Sequence, residues 1–108
     1  MDFDGVLAWL RAHLGQRVVA ATTAEGNTTM SVQGHLLKVD SGEINLIDPT
    51  PGRIEAWSVG GATLVLLEGD FTGAGTTDFG TGRPALVQAT FGSLVVTVAE
   101  LPEDVASL

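Results

Sequence analysis

The stretch Gly34–Ile47, GHLLKVDSGEINLI, decides how the chain reads. Asp40-Ser41-Gly42 is turn chemistry, and Glu43 to Asp48 beyond it reads as a short strand. Upstream, Thr28 to Val39 reads as one long strand with a change of phase. Met30, Val32 and Leu36 share one parity, whereas Leu37 and Val39 take the other. Side chains in a strand alternate with period two, so a parity change requires a bulge, a sharp bend, or burial on both faces. Gly34 stands just before the change. The stretch therefore predicts a strand bent at a glycine, the device by which a small sheet turns a corner.

Outward from this stretch, the chain divides into short units. Phe3, Val6, Leu7, Leu10 and Leu14 form one stripe, which predicts a helix over 3–14. Asp2 is placed to cap it, and Gly15 stands where a left-handed residue ends a helix. Trp9 lies off the stripe and reads as half-exposed, covering one end of the fold or meeting a partner. Arg17–Ala24 reads as a strand closed by a Glu25-Gly26-Asn27 turn. Asp48-Pro49-Thr50-Pro51-Gly52 is a loop, because neither proline donates to a ladder. Arg53–Val59 reads as an edge strand and Ala62–Phe71, the most apolar, as a central one. Residues 72–84, TGAGTTDFGTGRP, read as a Gly/Thr loop, and 85–101 as a C-terminal hairpin around Gly92-Ser93. The result is a single all-β domain over 1–108, a small, strongly bent β-barrel with an N-terminal α-helix and an extra C-terminal hairpin. The strands over 16–71 form the barrel itself.

Composition narrows the function classes. At 108 residues and 44% hydrophobic, the chain is long enough for one core and too apolar for disorder. It has no cysteine, which excludes disulfides and thiolate metal sites. No apolar run approaches a membrane span, and the start MDFDGVLAWL lacks a basic leader segment, so the expected location is cytoplasmic. The net charge of −8, with 13 acidic and 5 basic residues, opposes long-range attraction to a polyanion.

The order of helix, hairpin, bent strand and short strand resembles the Sm/Sm-like (LSm) small barrel, over residues 3–71. Gly34, Leu36, Asp40 and Asn45 are similar to the family's first motif, with an Asp-to-Asn gap one residue longer than usual. Leu66-Leu67-Glu68-Gly69-Asp70-Phe71 is similar to its second motif, with Glu68 where the family has arginine. The resemblance implies a base pocket at Asp40 and Asn45, backed by Glu68 and Gly69, and ring assembly through edge strands. Glu68 replaces a cation by an anion beside a polyanionic ligand, which is unfavourable at any dielectric. No aromatic follows Asp40 to stack a base. Nucleic-acid binding of the family's kind is thus disfavoured, and assembly is the implication that survives.

Other chemistry is weakly encoded. No histidine or carboxylate spacing matches a metal site, so no metal ligand is assigned. Gly73-Ala74-Gly75-Thr76-Thr77-Asp78 approaches a dinucleotide fingerprint, but no helix pattern follows to hold a pyrophosphate, so no cofactor is expected. Glu68 and Asp70 alternate onto one strand face about 7 Å apart, the makings of a hydrolytic carboxylate pair, but the chain has no tyrosine and only two tryptophans to build a sugar cleft. The expected function is a non-catalytic assembly or protein-interaction module that self-associates through edge strands. The alternatives are an Sm-like RNA binder using Asp40 and Asn45, and a hydrolase using Glu68 and Asp70. Trp9 and the loop residues Thr76, Thr77, Asp78 and Phe79 are the expected partner contacts.

Overall fold

A computed structural model describes residues 1–39, 52–78 and 84–101, which carry one helix and seven strands. The helix α1 (Phe3–Ala12) begins where the sequence predicts, with Asp2 Oδ1 accepting from the Gly5 amide at 2.8 Å. It ends earlier than expected: His13 is the cap, and Leu14 is 52% exposed. Gly15 (φ 83°) then turns the chain so that its amide donates to the Leu36 carbonyl at 2.7 Å. That bond ties the helix exit to the long strand quoted above.

The strands are β1 (Arg17–Ala24), β2 (Asn27–Lys38), β3 (Ile54–Val59), β4 (Ala62–Leu67), β5 (Phe71–Asp78), β6 (Pro84–Phe91) and β7 (Leu94–Glu100). All pairs are antiparallel, in the order β4-β3-β2-β1-β7-β6-β5. Two meanders, β1–β4 and β5–β7, thus join along β1 and β7. The sheet is open, because no ladder among the described residues joins β4 to β5. It is nonetheless curled. β4 and β6 are five strand spacings apart, about 24 Å in a flat sheet. Yet Leu64 and Leu66 of β4 share an apolar cavity of about 10 Å³ with Val87 and Ala89 of β6, alongside Val6 and Leu10 of the helix. Only a sheet wrapped around α1 brings those side chains together.

Where Gly34 predicts a bend, β2 changes partners. β2 pairs with β1 from Asn27 to His35 and with β3 from Leu36 to Lys38. Gly34 sits at this handover, and a Cβ there would lie 2.3 Å from the backbone nitrogen of Gly60. The expected parity switch does not occur. Leu36 is fully buried and Leu37 is 52% exposed, so the strand keeps its alternation and leaves a leucine in solvent.

Three other expectations are corrected. β3 is an interior strand of the sheet, flanked by β2 and β4. The apolar run Ala62–Phe71 is not one central strand: β4 stops at Leu67, lies at the end of the sheet formed by the described residues, and a 3₁₀ turn, Glu68–Asp70, follows. Its leucines alternate, Leu64 and Leu66 inward and Thr63 and Val65 outward, so only one face is buried. Residues 72–78 are not loop but most of β5, paired with β6. Phe71 and Ala74 pack against the core, and this contact with the β6 ladder outweighs the weak strand propensity of the glycines. The C-terminal hairpin is integral: β7 pairs with β1 along seven residue pairs and completes the sheet. The expected strand over 43–48 lies outside the described residues.

Candidate assembly surface

The residues singled out by the sequence fall into four places. Asp40, Asn45 and Phe79 lie outside the described residues. Glu68 and Gly69 form the 3₁₀ turn between β4 and β5, with Asp70 closing it. Thr76, Thr77 and Asp78 are exposed on β5 at the far end of the sheet.

Glu68 is held by Arg53, just before β3. The Arg53 Nε and Nη2 donate to Glu68 Oε1 and Oε2 at 3.3 and 3.0 Å, and the Arg53 amide donates to Oε1 at 3.0 Å. The same guanidinium reaches Asp4 Oδ1 through Nη1 at 2.8 Å and lies 5.3 Å from the Phe3 ring centroid. One arginine therefore ties the helix N-terminus to the turn that joins the two meanders. These hydrogen bonds from Arg53 hold the Glu68 carboxyl below its ordinary range, and donating to the Glu68 and Asp4 carboxylates holds the guanidinium proton more tightly than usual. Glu68 is thus a poor proton donor, and Arg53 has its charge spent within the fold. Glu68 and Asp70 do not alternate along one strand, since both sit in the turn. Among the described residues no cluster of three or more potential metal ligands occurs.

Trp9 is buried, at 6% exposure, which corrects the half-exposed reading and leaves little of its ring for a partner. The curled sheet covers a wider arc of α1 than the leucine stripe alone marks. The Trp9 ring stacks on His13, with centroids 3.8 Å apart and planes 17° from parallel. His13 Nδ1 lies 2.8 Å from the Trp9 carbonyl, and Nε2 lies 2.7 Å from Glu100 Oε1. The bond from the helix cap to the last strand was not legible, because His13 and Glu100 stand at opposite ends of the chain.

The remaining feature is the pair of terminal strands. β4, ATLVLL, contains no charge and no proline, and its ladder to β3 is unbroken from Ala62 to Leu67. Outward on it are Thr63 and Val65, the latter 40% exposed and paired across the ladder with Ala56. β5 differs: its ladder to β6 shifts between Phe71 and Gly73 and again between Thr77 and Asp78, and an aspartate ends it. Bulges and charges are what blunts a sheet edge. One terminal strand carries them and the other does not.

Among the described residues, no helix is long and apolar enough to cross a membrane. Comparison with known proteins finds no matching family model, curated protein or solved structure.

Proposed function

We propose that the protein is a non-catalytic assembly module, a curled, barrel-like sheet that joins other copies through its exposed terminal strands. The observation that carries this reading is the unguarded edge of β4: six residues without charge, proline or bulge, bearing a half-exposed valine. Such an edge presents a row of backbone donors and acceptors ready for another strand. The chemistry elsewhere supports the same reading. Glu68 is committed to Arg53, which argues against its use as a catalytic acid, and Arg53 is committed to Asp4 and Glu68, which argues against its use as a phosphate contact. The net charge of −8 further weighs against a polyanionic ligand.

Amide hydrogen exchange tests the reading. Amides of Ala62–Leu67 are expected to exchange more slowly as protein concentration rises, while those of β1 and β7 in the middle of the sheet stay unchanged. Exchange at β4 that is independent of concentration contradicts it.

A further inference from the structure

We propose that the assembling partner at β4 is a second copy of this chain, joined as a two-fold, antiparallel β4–β4 pair centred on Val65. This rests on the assembly reading above and names the strand pair, symmetry and register.

Two observations select β4 with β4 over β4 with β5. The first is continuity of the ladder. A strand adding to β5 meets shifts at both ends of it, whereas β4 presents six residues in unbroken register. The second is charge. Copies of a chain with net charge −8 repel, so the favoured contact is one with no carboxylate in it. From Ala62 to Leu67 β4 has none, whereas β5 contains Asp78.

Symmetry then restricts the register. In an antiparallel pair, directly opposed residues lie on the same face. A two-fold axis normal to the sheet must therefore pass through a residue position and not between two. Centred on Leu64, it sets outward Val65 against Thr63, an apolar side chain against a polar one. Centred on Val65, it sets Val65 against Val65 of the second copy, and inward Leu64 against Leu66 of the second copy. The Val65 register pairs branched apolar residues at three successive positions and covers the half-exposed valine. It also leaves the tight Gly60-Gly61 turn outside the contact.

The chain has no cysteine, so single-cysteine variants report the register directly. Val65→Cys places two thiols directly opposite, with Cβ atoms about 5 Å apart, within disulfide reach. Thr63→Cys places them about 13 Å apart along the strand, out of reach. Oxidation uses oxygen with copper–phenanthroline as the electron acceptor, each disulfide forming from two thiols with loss of two protons and two electrons. The expected result is a covalent dimer for Val65→Cys, none for Thr63→Cys, and a dimer for an equimolar mixture of Thr63→Cys and Leu67→Cys chains. Thr76→Cys on β5 is the control and stays monomeric on denaturing gels. Val65→Lys, whose side chain has room at this exposed site, is expected to abolish non-covalent association while leaving the circular dichroism melt cooperative. If the wild-type chain self-associates but only Thr76→Cys cross-links, the assembly reading stands and the two-fold β4 register is overturned. If the wild-type chain remains a monomer, both fall.

Discussion

Gly34 and Gly60 touch through their backbones: a Cβ added to Gly34 would lie 2.3 Å from the Gly60 nitrogen and 2.5 Å from its Cα. The contact is reciprocal, because a Cβ on Gly60 would meet the Gln33 carbonyl at 2.7 Å, and Gly60 holds φ at +60°. The β3–β4 turn is thereby seated on β2 where that strand passes from β1 to β3. Backbone cannot yield as a side-chain end can. Gly34→Ala is expected to destabilise the fold by about 1–3 kcal/mol, measured by urea unfolding. Gly61→Ala, with open space around its Cβ, serves as the comparison and is expected to cost less.

His13 and Glu100 join the helix cap to β7 at 2.7 Å, with His13 only 8% exposed. Glu100→Ala leaves a buried ring nitrogen without that partner and is expected to cost about 1–3 kcal/mol. The His13→Ala, Glu100→Ala double variant is expected to cost less than the sum of the singles, which a double-mutant cycle on urea midpoints reads directly.

The Arg53–Glu68 clamp predicts an acid-side dependence of stability. Glu68 has its carboxyl lowered from 4.5 in the folded state, first by the Arg53 side chain and then by the Arg53 amide. The folded state therefore binds fewer protons than the unfolded state as pH falls. The stabilisation is present above the ordinary carboxylate value and is lost as pH drops through the lowered folded value. Urea midpoints measured across that window are expected to fall with acid in the wild type and to fall less steeply in Glu68→Gln. Equal slopes would remove the clamp as a source of acid sensitivity.

β5 is structural. Replacing Gly73–Asp78 by a Gly/Ser linker removes the ladder to β6 and the packing of Ala74, and is expected to lower Tm by more than about 10 °C. A Tm unchanged in differential scanning calorimetry would return this segment to the status of a loop.

These sites show what the sequence conveys and where it stops. The helix was legible from Phe3, Val6, Leu7 and Leu10, because apolar spacing and an Asp2 cap are local signals. Gly34 was legible as a glycine at a special point in a long strand, but the close approach that requires it was not, since Gly60 belongs to the turn beyond the next strand. The strand at Phe71–Asp78 was hidden by its composition. Gly73 and Gly75 carry little strand propensity, and the order of the segment comes from β6. Strand order is likewise not local. Leu64 and Leu66 mark one buried face whether β4 lies at the centre or the end of the sheet, so the edge was placed on the wrong strand. Glu68 stood out as a departure from a known motif, but the arginine that accounts for its present setting comes from fifteen residues upstream. Asp40 and Asn45 lie outside the described residues.

Assembly through β4 is tested most directly by solution mass from light scattering, over a concentration series at about 0.1 M and about 1 M salt. At these salts the screening length falls from about 10 Å to about 3 Å, which removes repulsion between acidic copies. The expected result is a mass that rises with concentration to that of two chains and no further, at lower concentration in the higher salt. A mass of one chain at every concentration and at both salts would contradict assembly.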